Sequence, residues 1–223
     1  MFLFPAPLRR LSLSLAFVFL PAAVLAKPAA WLPEIDTLTR DDATHPPPAN
    51  GIVFVGSSSI RFWTTLATDF PGLPVIGRGF GGSELADSVY YLDRVVLPYR
   101  PRTVVLYAGE NDINAGKSPE AVADDFREFC ARVRATLPGA QIIYIAMKPS
   151  PSRWAKHALF EQGNALIAAA CARDPRLKFV DVWPAMLDTT GHPRPELFRA
   201  DLLHMNPTGY AIWIRLLAPL LKP

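Results

Sequence analysis

Residues 51–60 read Gly51-Ile-Val-Phe-Val-Gly-Ser-Ser-Ser-Ile60. Ile52–Val55 is an unbroken apolar run rich in β-branched side chains, and it reads as a short strand buried on both faces. It feeds directly into Gly56 and three serines, after which a helical stretch is expected from Ser59 to Thr68. A strand covered on both faces implies a parallel sheet sandwiched between helices.

The pattern repeats downstream. Pro74–Ile76 reads as a second, weaker strand, and Glu84–Leu97 as a helix with Leu85, Val89, Leu92 and Val96 as its apolar residues. Thr103–Tyr107 is a third strand. Pro119–Leu137 is a long helix, opened by Ser118 as cap and Pro119 at the first helical position. Gln141–Ile145 is the fourth strand, Trp154–Arg173 a helix and Leu177–Val180 the fifth strand. A loop rich in Pro and Gly covers Trp183–Ala200, and Thr208–Leu221 is a final amphipathic helix. Strands alternating with helices predict an α/β fold, with reactive groups at the carboxyl ends of the strands.

Upstream, Lys27–Asn50 holds Pro28, Pro33 and Pro46-Pro47-Pro48, so an irregular lead-in on the surface is expected. Residues 1–26 carry Arg9 and Arg10, the apolar run Leu11–Leu20 and then Pro21-Ala-Ala-Val-Leu-Ala26. That order describes a secretory signal peptide cut after Ala26, and hence a secreted or periplasmic protein. An uncleaved anchor is the alternative, disfavoured because the apolar run is short for a membrane span. One domain, 51–223, remains. Removing the two leader arginines lowers 23 basic residues to 21, against 20 acidic, a net of +1. So balanced a chain offers nucleic acid no electrostatic footing.

Four short segments carry chemistry-bearing residues. Ser57-Ser58-Ser59 stands where strand one meets a helix N-terminus, whose free N–H groups suit an oxyanion; helix capping is the alternative. Gly77-Arg-Gly-Phe-Gly-Gly82-Ser83 follows strand two, either as a close-approach loop or as a plain turn. It is neither a phosphate loop nor a dinucleotide fingerprint. Gly109-Glu110-Asn111-Asp112 follows strand three and offers an amide donor, or ordinary turn chemistry. Asp201-Leu-Leu-His204 precedes the last helix; its spacing lets the carboxylate orient the imidazole as a base, although such pairs also arise by chance. Cys130 and Cys171 match no metal or redox motif; they suit either a disulfide or two free buried thiols.

Taken together, these segments resemble the SGNH hydrolases, also called GDSL-type esterases and lipases, from about Gly51 to Leu221. Gly56-Ser57-Ser58 is similar to the family's Gly-Asp-Ser block, with Ser58 at the nucleophile position. Gly82 resembles the glycine that lends its N–H to the oxyanion hole, and Asn111 the asparagine of the Gly-x-Asn-Asp block. Asp201-Leu-Leu-His204 matches the Asp-x-x-His block. Ser57 departs from the usual Asp, and Gly77 stands where many members have Asn. The resemblance implies a three-layer α/β/α sandwich, flavodoxin-like, around a five-stranded parallel sheet. It also implies a serine esterase with Ser58, His204 and Asp201 as triad, an oxyanion hole of Ser58, Gly82 and Asn111, and no metal or organic cofactor. The expected substrate is a small-molecule or glycan ester with a short acyl chain, acetyl on a carbohydrate being the leading case. The alternatives are a thioesterase or lysophospholipase, or a non-catalytic carbohydrate- or lipid-binding module. Trp63, Trp154 and Trp183 are either sugar platforms or packing residues, and His45, His157 and His192 have no motif around them.

Overall fold

The computed structural model describes residues 28–222; the leader and its expected cut after Ala26 lie outside them. The elements run α1 (Pro28–Thr39), β1 (Ile52–Gly56), α2 (Ser58–Arg61), α3 (Leu66–Asp69), β2 (Val75–Gly79), α4 (Leu85–Tyr90), α5 (Leu92–Val95) and β3 (Thr103–Tyr107). They continue with α6 (Glu110–Asn114), α7 (Pro119–Thr136), β4 (Gln141–Ile145), α8 (His157–Cys171), β5 (Leu177–Val180), α9 (Trp183–Met186) and α10 (Pro207–Leu221).

The five strands form one parallel sheet in the order β2-β1-β3-β4-β5. Every residue of β1 and β3 is buried, as their continuous apolar runs require. The pleat sends alternate side chains to opposite faces. Tyr144 of β4 pairs in register with Leu106, so it points away from the face Tyr107 occupies. Its ring meets Phe126 of α7 at 5.2 Å, whereas Tyr107 meets Trp213 of α10 at 4.7 Å. Both faces are therefore covered, the expected three layers. Chain order reverses between β1 and β3, the place where open α/β sheets leave a crevice at the carboxyl ends of their strands.

Six elements differ from the sequence expectation. The helix expected over Ser59–Thr68 is two short ones, α2 and α3, and that expected over Glu84–Leu97 breaks into α4 and α5 with a 3₁₀ turn, Leu97–Tyr99, after them. The Pro-rich lead-in contains helix α1, because Ile35 is fully buried and Trp31 packs on Phe80 at 6.1 Å. Pro28 sits at the helix start, where a missing N–H costs nothing, and docking outweighs Pro33. Strand β2 extends to Gly79, through residues read as a loop, because β1 supplies a pairing partner for each position. Glycine is needed at 79, since a Cβ there would stand 2.5 Å from the Arg61 backbone nitrogen of α2. The segment before α8 is a 3₁₀ turn, Pro151–Lys156, with proline at its start, so the α-helix begins only at His157. The loop from Trp183 opens with the short helix α9.

Candidate active site

β1 ends at Gly56 with φ of 131°, and a Cβ there would lie 1.9 Å from the Tyr107 carbonyl oxygen. Only glycine permits that turn beside β3. The next residue, Ser57, donates its N–H to the same carbonyl at 2.9 Å, and Ser58 opens α2. Ser57 and Ser59 are buried, while Ser58 is partly exposed. Of the three, it is Ser58 whose hydroxyl meets the imidazole: Ser58 Oγ lies 2.9 Å from His204 Nε2. On the other side of the ring, His204 Nδ1 lies 2.6 Å from Asp201 Oδ2. Asp201 Oδ1 accepts the N–H groups of Leu203 and His204, both at 2.9 Å, which folds the Asp-x-x-His segment into a tight turn. Desolvation would raise the Asp201 carboxyl, but the His204 ring and these two amides outweigh it and hold it down at about 2. Phe62, one turn beyond Ser58, sets its ring edge-to-face on His204 at 4.8 Å.

The Gly-rich loop is tied to the same crevice. Phe80 donates its N–H to the Gly56 carbonyl at 2.9 Å, and Gly81 donates to the Glu34 carboxylate of α1 at 3.3 Å. Glu34 also pairs with Arg61 of α2 at 2.8 Å, so α1, α2 and the loop meet at one carboxylate. Gly82 follows with φ of 73°. Asn111, at the start of α6, donates from Nδ2 to the Ser83 carbonyl at 2.8 Å, joining this loop to the end of β3. Its Oδ1 accepts from Arg153 Nη2 at 2.9 Å. Asp112, with no exposed side-chain surface, accepts the Leu85 N–H through both oxygens at 3.0 and 3.1 Å. Burial pushes its carboxyl up to about 6, and Lys117 at 3.2 Å opposes that rise. Beneath them Lys148 Nζ lies 2.6 Å from Glu110 Oε2, and Tyr107 donates to the same oxygen. Burial lowers the Lys148 ammonium and the Glu110 carboxylate opposes it.

The fold thus brings all four sequence segments to the carboxyl ends of β1, β2 and β3 and the turn before α10. Sequence reading missed Glu34, Phe62, Lys148 and Arg153. Nothing in their local spacing marks them, although Pro149-Ser-Pro-Ser-Arg153 beyond β4 lies at a strand end where attention was due. Gly77 lies within β2, opposite Phe54. Trp63 and Trp183 are packing residues: Trp63 is buried and stacked on Tyr210 at 4.9 Å, and Trp183 donates to the Met147 carbonyl at 2.7 Å. Trp154 stays partly buried, stacked on His157 at 4.4 Å. His157 caps back to the Trp154 carbonyl, while His45 and His192 contact neighbouring threonines. Cys130 and Cys171 are free and buried, and burial raises their thiols to about 12 and about 11. Among the described residues no helix is long and apolar enough to cross a membrane, and no cluster of His, Cys, Asp and Glu could hold a metal ion.

The model of the GDSL-like lipase/acylhydrolase family matches residues 52–212, which hold β1, β3 and all four segments. This chain belongs to that family. A GDSL-family hydrolase is therefore built here with Ser-Ser where the family name spells Asp-Ser. The chain is similar to the platelet-activating factor acetylhydrolase IB subunit alpha1 of Homo sapiens, 27% identical over 77% of this chain and 82% of that protein. Solved structures share the fold. One is described as a platelet-activating factor protein of Streptococcus pneumoniae (TM-score 0.75, 19% identity, 87% of this chain and 96% of that one). Another is a mutant acetyl-xylooligosaccharide esterase of Geobacillus (TM-score 0.63, 14% identity, 79% and 96%).

Proposed function

We propose that this GDSL-family hydrolase is an exported serine esterase that removes short acyl groups, acetyl foremost, by way of an acyl-enzyme. The observation that carries the reading is the unbroken relay from Ser58 Oγ to His204 Nε2 at 2.9 Å and from His204 Nδ1 to Asp201 at 2.6 Å. A hydroxyl facing an oriented imidazole is an activated nucleophile. His204 takes the Ser58 proton as Oγ bonds to the ester carbonyl carbon. The oxyanion receives hydrogen bonds from the N–H groups of Ser58 and Gly82 and from Asn111 Nδ2. Collapse breaks the bond to the leaving oxygen, which collects the proton from His204. Water, deprotonated by His204, then attacks the acyl-serine and frees the carboxylic acid. Asp201 keeps the ring in one tautomer and stabilises the imidazolium.

The names of two similar proteins, a platelet-activating factor acetylhydrolase and an acetyl-xylooligosaccharide esterase, both describe removal of an acetyl group, which favours a small acyl site. Partly buried Trp154 is the remaining candidate platform for a sugar ring. Ser58→Ala should lower kcat on p-nitrophenyl acetate by at least ~10³-fold and abolish labelling by a fluorophosphonate probe. Near-wild-type turnover in that variant would show that Ser58 is not the nucleophile, whereas a folded wild type that takes no label would favour a binding module. A series of p-nitrophenyl esters of rising chain length separates the acetylesterase from a thioesterase or lysophospholipase: kcat/KM should peak at the shortest acyl groups.

A further inference from the structure

Asn111 is the one assigned oxyanion donor that comes from a side chain, and a carboxamide has two ends of similar shape. Turned by half a revolution, it would present a carbonyl oxygen to the developing negative charge and repel it. Two neighbours of opposite character prevent this. The Ser83 carbonyl, which can only accept, faces Asn111 Nδ2 at 2.8 Å. The Arg153 guanidinium, which can only donate, faces Asn111 Oδ1 at 2.9 Å. The flipped amide would lose both bonds and set oxygen against oxygen at Ser83. Of its two Nδ2 hydrogens, Ser83 occupies one and the second remains for the oxyanion.

The 3₁₀ turn that carries Arg153 is itself anchored on both sides of the crevice. Ser152 donates its N–H to the Leu202 carbonyl at 3.1 Å, inside the turn that holds Asp201 and His204. Lys156 Nζ donates to the carbonyls of Ile113 and Asn114, at 3.2 and 2.8 Å, on the helix that begins beside Asn111. Arg153 is thus held at a fixed place between the base and the amide.

We propose that Arg153 is a positioning residue of the oxyanion hole: it locks the Asn111 carboxamide with its donor end towards the reacting carbonyl and polarises that donor. The proposal rests on the esterase reading given above, and it assigns Arg153 no contact with substrate. Its consequence is non-additivity, since a residue that acts only through Asn111 has nothing to act on once Asn111 is gone.

The test is a double-mutant cycle on the purified full chain with p-nitrophenyl acetate, using Arg153→Met, Asn111→Ala and the pair. Asn111→Ala should lower kcat by ~10²–10³-fold. Arg153→Met should lower kcat by about tenfold or more with KM within about twofold, and the pair should match Asn111→Ala alone. Arg153→Lys, which restores a donor to Oδ1, should recover most of the loss; Arg153→Ala replaces Arg153→Met as the cycle partner if the latter fails to fold by circular dichroism. Multiplicative losses in the double variant, or a rise in KM with kcat unchanged, overturn the proposal, because Arg153 would then act on substrate directly. Ser58→Ala measured alongside separates the two layers. If it is inactive while the losses multiply, only the positioning role falls; if it stays active, the esterase reading falls with it.

Discussion

Asp201 shows how a nearly half-exposed carboxylate can be kept charged in acid. Desolvation works against it, yet the imidazole and two backbone N–H groups lower its titration to about 2, below the ordinary 3.8. A folded value below the unfolded one means that this group's contribution to stability is present above about pH 4 and is lost as pH falls through about 2. Solvent screening keeps that contribution small at such exposure. Asp201→Asn should therefore flatten the slope of stability against pH between about 4 and 2, read from urea midpoints, and lower kcat by up to ~10⁴-fold. An unchanged slope together with an unchanged kcat would remove Asp201 from the relay. At the same scale the buried Lys148–Glu110 pair stands, through Glu110, next in sequence to Asn111 and is only partly satisfied. Lys148 Nζ and Glu110 Oε2 bond each other and Tyr107, whereas the other carboxylate oxygen, Oε1, is buried without a hydrogen-bond partner.

Among the elements, α1 carries more than its sequence promised. Ile35 is fully buried, Trp31 covers Phe80 and approaches Gly82, and Glu34 takes the Gly81 N–H. The helix is thus a wall of the loop that bears Gly82, the proposed oxyanion donor. Ile35→Ala should cost about 2–5 kcal/mol in urea denaturation, the loss typical of a fully buried aliphatic side chain. A loss below about 0.5 kcal/mol would mean that α1 is a loose surface segment after all. The short helices α2 and α6 matter differently. Each begins directly at a strand end and consists of a single turn or little more, so its packing against the sheet sets where Ser58 and Asn111 stand.

For the molecule as a whole, a sheet whose order reverses between β1 and β3 leaves one crevice at its carboxyl edge, and the candidate site occupies it. If the leader is removed after Ala26, the mature protein begins at Lys27, one residue before α1, so that the loop-bracing helix becomes its N-terminus. Mass spectrometry of protein recovered from the periplasm or medium should find that terminus; an intact residue 1–26 segment on exported protein would contradict the leader reading. The sequence by itself determined four of the five strands to within a residue, because apolar runs long enough only for strands need no distant partner to be read. Through its resemblance to GDSL-type hydrolases it also pointed to Ser58, Gly82, Asn111, Asp201 and His204 as candidates, because their blocks are local. Only the tertiary structure decided that Ser58 is the member of the serine triplet that meets His204, that a proline-bearing stretch forms a docked helix, and that Arg153 and Glu34 brace the two loops. Those facts depend on contacts between segments tens of residues or more apart, and no local pattern encodes which distant side chain closes a hydrogen bond.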